Sequence, residues 1–258
     1  MKIDSDWWKK IFDETYLITD ARSVCDNALT CREVDFLEDV LGLDKSWPIL
    51  DLCGGQGRHS LELSRRGFQH VTVLDYSEFL INIGRSKAEA EGLATLFVRN
   101  DARNTGLPDQ EYKVVILMAS SFGYFSDEAE NMKILNEAFR LLMPGGVFLL
   151  DLPDRDFVMK HFRPQSWHEA GDDIVVCRRR RLEDEVISSR EMVISKRKGL
   201  IRDEGYITRL YKIEKITEML KTSGFFIVKV LKDFVSHKKK GDYGCMTNRM
   251  IVISRKDS

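Results

Sequence analysis

Ile49-Leu50-Asp51-Leu52-Cys53-Gly54-Gly55-Gln56-Gly57-Arg58-His59 runs from an apolar strand through an acid and a glycine-rich turn into a helix. Pro48 to Leu52 is apolar except for Asp51, as expected of a short strand buried on both faces. Glycines in the turn let backbone approach a ligand closely and adopt torsions that a Cβ forbids. In an open α/β sheet, such a turn lies at the carboxyl edge of the strands, where ligands bind. Taken as Gly55-x-Gly57-x-x-Ser60, it is close to a dinucleotide fingerprint, but with Ser60 where that fingerprint wants Gly or Ala.

Outward from this turn, strands and helices alternate, the pattern of a parallel sheet covered by helices. A helix from Arg58 to Arg66 leads to strand Val71–Leu74, helix Glu78–Glu91, strand Leu96–Val98 and strand Lys113–Met118. Asp127, Glu128 and Glu130 load the first turn of the next helix with the negative charge its dipole favours. Met132, Leu135, Phe139 and Leu142 then recur at helical spacing, Pro144-Gly145-Gly146 reads as the stop, and Val147–Asp151 is a fifth strand. Upstream, Trp7 to Leu17 reads as an aromatic-rich helix, and Thr30 with Glu33 as a capping box opening a helix to about Leu43. After Pro153 the pattern changes: from about Ile174 to Lys212 it is charged and β-like, predicting two or three antiparallel strands with one wet face. A helix from Ile213 to Thr222 and strands at Phe226–Val230 and Met250–Ile253 resume the alternation. The expected organisation is a helical lid over 1–45, an α/β domain over 46–154 and 213–258, and a β insertion over 155–212.

Composition narrows the function. The chain has 258 residues, 43% hydrophobic and 31% charged, enough to bury a sizeable core. Forty Lys and Arg against 41 Asp and Glu leave a net charge of −1, so no global charge draws it to nucleic acid. No apolar run approaches the roughly 18 to 20 residues of a membrane span. Met1 to Asp6 carries acids where a signal peptide wants bases. Cys25, Cys31, Cys53, Cys177 and Cys245 are odd in number and form no C-x-x-C pair, against a zinc site or a disulfide framework. A cytoplasmic protein, monomer or homodimer, with no metal is the expectation.

Two further acids define a crevice. Asp75 ends the second strand, 20 residues beyond Gly55, where an acid can accept hydrogen bonds from both ribose hydroxyls. Arg99-Asn100-Asp101-Ala102 ends the third, placing Asp101 to meet an adenine amino group. Glycine turn, Asp51, Asp75 and Asp101 together make the sequence resemble the class I S-adenosylmethionine-dependent methyltransferases over about Tyr16 to Leu152, with Tyr211 onward as their closing helix and strands. The resemblance implies an α/β Rossmann-like methyltransferase fold: a seven-stranded, mostly parallel sheet with helices on both faces and a small antiparallel β insertion after strand five. It implies S-adenosyl-L-methionine as cofactor, held by Tyr16, Asp51, Cys53, Gly54, Gly55, Gly57, Asp75, Tyr76, Asp101, Ala102 and Met118. Cys53 departs from the pattern, which most often has glycine there.

The segment Met118-Ala119-Ser120-Ser121-Phe122-Gly123-Tyr124-Phe125 faces the transferring methyl in that family. It lacks the Asn/Asp-Pro-Pro-aromatic signature of DNA amino-group methylation and is similar to small-molecule enzymes, including those methylating amino sugars or glycine. The family's inserted strands roof the acceptor pocket, and an aromatic of its N-terminal lid matches Tyr16. Tyr16, Asp151 and Tyr211 are the catalytic candidates, with Asp154, Tyr206, Arg209, His59, His161 and His168 beside them. Arg178-Arg179-Arg180-Arg181 reads as a charged outer face, because acids follow at once and no aromatics interleave. Lys238-Lys239-Lys240 reads as a solvated loop. The expected reaction is methyl transfer to a nitrogen or oxygen of a small molecule. An RNA or protein acceptor, or a silent cofactor-binding module, are the alternatives.

Overall fold

The computed structural model describes residues 3–238 and 243–257, so Lys239, Lys240 and Gly241 of the basic loop, and Met1 and Lys2, lie outside it. Seven strands form the main sheet: β1 (Ile49–Leu52), β2 (Val71–Asp75), β3 (Leu96–Arg99), β4 (Tyr112–Leu117), β5 (Leu142–Pro153), β10 (Phe226–Phe234) and β11 (Arg249–Arg255). Their order is β10-β11-β5-β4-β1-β2-β3, and β11 alone runs antiparallel to its neighbours. Every main-sheet strand expected from the sequence is present.

Side chains alternate across each strand, so β1 sends Leu50 and Leu52 to one face and Ile49 to the other. On the first face they join Val115, Leu117, Phe148 and Leu150 under helices α6 (Glu128–Leu141) and α8 (Ile213–Thr222). On the second, Ile49, Val114, Ile116 and Leu149 meet Val34 and Leu37 of α3 (Asn27–Leu41) and Leu63 of α4 (Arg58–Arg65). α5 (Glu78–Glu91) covers β2 and β3 through Ile81 and Ala88, packed on Val73 and Phe97. Burying one such leucine or isoleucine contributes about 1.5 to 3 kcal/mol.

Several boundaries differ from the sequence reading. Trp7 to Leu17 is not one helix: a 3-10 turn over Trp7–Lys9 gives way to α1 (Glu14–Thr19), because the Asp13 carboxylate caps the amides of Thr15 and Tyr16. A short α2 (Ala21–Val24) follows. α3 starts at Asp26, which caps Leu29, so the Thr30–Glu33 box does not form; Thr30 bonds back to the Asp26 carbonyl and Glu33 is fully buried. Pro144-Gly145-Gly146 does not stop α6, which ends at Leu141; these residues lie in the irregular first part of β5. Asp154 caps the Phe157 amide of an unforeseen α7 (Arg155–Lys160). The insertion holds four antiparallel strands rather than two or three, in the order β6 (Gln165–Ala170), β7 (Ile174–Glu183), β8 (Val186–Ser195) and β9 (Gly199–Arg209).

Candidate active site

The turn after β1 is built for close approach. A Cβ on Gly54 would sit 2.6 Å from Asp51 Cγ, and one on Gly57 would sit 2.8 Å from the Phe97 ring. Gly57 packs the turn against β3 and is not among the residues that line the crevice. Cys53 has φ 60, left-handed torsions that cost a side-chain-bearing residue about 1 to 2 kcal/mol, and this explains why glycine is commoner there.

Three strand-end acids converge on one crevice lined also by Tyr16, Cys53, Gly54, Gly55, Tyr76, Ala102 and Met118. Asp75 accepts from the Gly55 and Ser77 amides, each at 2.8 Å, which fixes the carboxylate and leaves further lone pairs. Asp51 Oδ2 accepts from Ser60 Oγ at 2.8 Å, while its Oδ1 is buried with no partner among the described residues. Burial pushes the Asp51 pKa up to about 7. Burial also works to raise Asp101, but its bonds and ion pair with Arg103, Nη2 to Oδ2 at 2.6 Å, hold it below its usual value.

Sequence reasoning missed most of the cover. Trp8 meets Tyr76 edge-on at 4.7 Å and Phe125 at 5.5 Å; Phe12 meets Tyr16 at 5.1 Å. Ser77 Oγ donates to the Phe12 carbonyl at 2.6 Å, tying lid to sheet edge. Gln56, Arg58, His59 and Asn100 also line the crevice. His59 is no base: its Nε2 meets Glu33 at 2.9 Å, and burial lowers its pKa to about 4. Burial alone would raise Glu33, yet Arg58, Arg249 and His59 together pull it well below its ordinary value.

A second chamber adjoins the first, sharing Phe12, Tyr16, Ala119 and Tyr124. Its roof is the inserted sheet: Arg178 and Arg180 from β7, Ile187, Ser189 and Glu191 from β8, Arg202, Tyr206 and Thr208 from β9. At its floor, Ala119 and Ser120 both hold left-handed torsions (φ 60 and 59), and the Ser120 hydroxyl is buried with no partner among the described residues. A charge ladder closes one wall. Glu191 bridges Arg178 (2.7 Å) and Arg202 (3.2 Å), Arg178 reaches Asp20 at 2.9 Å, and Arg202 pairs with Asp13. The arginine run is thus only half an outer face: Arg179 and Arg181 are exposed, whereas Arg178 and Arg180 turn into the chamber.

Two catalytic candidates are not brought to either space. Asp151 is fully buried beneath the floor, where its Oδ2 accepts from the Ala119 amide at 2.8 Å and pairs with Arg249. Burial pushes its pKa to about 6 against the pull of Arg249. Tyr211 packs on Phe122, ring centroids 5.4 Å apart, and faces a different cleft beside Asp154 and Arg155. β9 ends at Arg209, whose guanidinium turns to the Ser126 carbonyl, so Tyr206 and Thr208, not Arg209 and Tyr211, share the chamber face. His161 stacks on Phe157 and His168 bonds the Thr19 carbonyl; neither lines the two spaces.

The comparisons with known proteins agree with this geometry. Residues 49–146 match the family model described as a methyltransferase domain. The YqeM protein of Bacillus subtilis, named as a methyltransferase, is 27% identical over 190 residues, covering 72% of this chain and 76% of its own. A ubiquinone/menaquinone biosynthesis C-methyltransferase of Bartonella quintana is 34% identical over 108 residues, 40% of each protein. A solved S-adenosylmethionine-dependent methyltransferase from Clostridium acetobutylicum superposes with TM-score 0.75 at 19% identity, over 95% of this chain and 97% of that one. The sugar N-methyltransferase KedS8 of a Streptoalloteichus species superposes with TM-score 0.66 at 17% identity, over 89% and 88%. The chain has the Rossmann-like methyltransferase fold, with a separate antiparallel sheet. Over residues 49–146 the chain is similar to a methyltransferase domain. The crevice fits S-adenosylmethionine: Asp51 offers a buried oxygen with no partner among the described residues, beside Asp75 and Asp101. Among the described residues no helix is long and apolar enough to cross a membrane.

Proposed function

We propose that the chain transfers a methyl group from S-adenosylmethionine to a nitrogen of a small molecule held beneath the inserted sheet. The observation that carries this reading is the second chamber, which opens onto the crevice through Phe12, Tyr16, Ala119 and Tyr124. In this reading Asp75 holds the ribose, Asp101 and Ala102 the adenine edge, and Asp51 the ammonium of the amino-acid end. When bound, the cofactor supplies a methyl already activated on a cationic sulfur. The chamber would hold the acceptor nitrogen with its lone pair toward that methyl, and the nitrogen proton would pass to water. The protein's task is alignment, worth up to about 7 to 11 kcal/mol in well-held reactions. The Phe12 and Tyr16 rings face both spaces and supply about 0.5 to 2 kcal/mol to a cation beside them.

The chamber's charges favour nitrogen over oxygen. A hydroxyl needs a base to take its proton, whereas a neutral amine attacks once deprotonated in solution. The acids that line the chamber, Asp20 and Glu191, are both paired with Arg178. KedS8, a sugar N-methyltransferase with the same fold, supports the same choice. The test is labelled methyl transfer to a panel of amines, amino sugars, alcohols, phenols and quinols. Product from amines supports the proposal. Product only from phenols or quinols, at oxygen or carbon, overturns the choice of atom. Product only from RNA or protein overturns the small-molecule reading.

A further inference from the structure

On its far side the chamber meets another cleft, lined by Phe157, Val158, His161, Phe162, Ile187 and Thr247, with no Asp or Glu among the described residues of its lining. Arg180 and Ile187 border both spaces, so Arg180 stands where they join. Its neighbours Arg178 and Arg202 are neutralised by carboxylates. Arg180 is held differently: its Nη1 donates to Ser166 Oγ at 3.0 Å and to the Arg163 carbonyl at 3.5 Å, and it has no carboxylate partner among the described residues. Its Nε and Nη2 therefore retain donors for a ligand. The planar fork of a guanidinium matches a carboxylate or phosphate by paired hydrogen bonds.

We propose that this cleft receives the tail of the acceptor, an apolar arm ending in a carboxylate or phosphate, and that Arg180 grips the anion and selects for it. Arg163, exposed at the same cleft, adds a second positive charge. The inference rests on the small-molecule reading above, because it describes the other half of the same acceptor.

Calorimetry on protein saturated with S-adenosylhomocysteine tests it with three probes: 4-phenylbutyrate, phenyl phosphate and the neutral 4-phenylbutanol. The native chain should bind at least one anion about ten-fold or more tighter than the alcohol, a factor typical of one charged hydrogen-bonded contact. The tighter anion identifies which group the site takes. Arg180→Gln should remove that preference, Arg180→Lys should restore part of it, and S-adenosylhomocysteine affinity should be unchanged in both. Equal affinity for anions and alcohol in the native chain overturns the proposal. So does an undiminished anion preference in Arg180→Gln. Should Arg180→Gln fail to fold, a salt series on the native chain decides: anion affinity that falls with salt supports the site, and affinity indifferent to salt overturns it. Arg180-dependent anion binding without methylated product from any small molecule would defeat the transfer reading and leave this site standing. Product from neutral amines with no anion binding would do the reverse.

Discussion

Asp75 and Asp51 occupy neighbouring strand ends and do different work. Asp75 is fixed by two backbone amides, so its remaining lone pairs are aimed without mobile partners. Asp75→Ala should weaken cofactor binding by about 1.5 to 3 kcal/mol, the worth of hydrogen bonds to a charged group, as calorimetry with S-adenosylhomocysteine would read. Unchanged affinity would remove Asp75 from the ribose role. Asp51 instead governs a pH response. Burial raises its pKa from 3.8 to about 7, so the folded chain keeps a proton that the unfolded chain releases. That contribution to stability is whole below about pH 4 and is lost as pH rises through about 7. His59 opposes it, because burial lowers its pKa from 6.5 to about 4 and folding is disfavoured as pH falls through that interval. Asp51→Asn removes one of these two titrations. Its stability relative to the native chain should rise from about pH 4 to about 7 and then level, in denaturant titrations across that range; a flat difference would contradict it. Asp75 was legible because spacing from a glycine turn is a local property of sequence. The unpartnered oxygen of Asp51 and the neutral His59 were not, since burial and partners come from elements far along the chain.

Among elements, the N-terminal segment and the inserted sheet pack as one unit. Trp7, Trp8 and Ile11 share a core with Ile207 of β9, and the Asp20–Arg178–Glu191–Arg202–Asp13 ladder reaches both ends of α1, which carries Tyr16. Removing the inserted strands would therefore strip support from the cover of the cofactor crevice as well as from the acceptor chamber. Glu191→Gln is the finer probe. It leaves Arg178 and Arg202 without their shared acid but with Asp20 and Asp13, a loss of charged hydrogen bonds that costs about 1.5 to 3 kcal/mol. Chemical denaturation should show a loss of that order, and the acceptor KM should rise more than the cofactor Kd. Undiminished stability would show that the ladder is ornamental. The parallel strands were legible because burial on both faces forces apolar runs. β6 was not: Gln165-Ser166-Trp167-His168-Glu169-Ala170 alternates half-buried and exposed residues, and polar or exposed side chains carry no apolar signal. The start of α3 was misplaced because Thr30 and Glu33 satisfy a capping pattern while Asp26, four residues earlier, makes the cap.

At the scale of the molecule, one buried cluster joins the turn after β1 to β11, the antiparallel strand of the sheet. Arg249 of β11 pairs with Glu33 of α3 and Asp151 of β5, all three fully buried. Arg249 and Glu33 lie 216 residues apart, so no local pattern announces their contact. Glu33 in turn holds Arg58 and His59, which line the crevice, and Asp151 holds the Ala119 amide at the boundary of the two spaces. The cluster is thus a common support for both halves of the site. Arg249→Met fills similar volume but leaves Asp151 without its cation and Glu33 with fewer, an uncompensated burial of charge expected to cost about 3 to 5 kcal/mol. Because the same carboxylates hold the crevice wall and the chamber floor, affinity for S-adenosylhomocysteine should fall along with the denaturation midpoint. Arg249→Lys should recover part of both, since it restores the charge without the two-pronged geometry. If Arg249→Met lost stability but bound cofactor at full affinity, the cluster would brace the sheet without bracing the site.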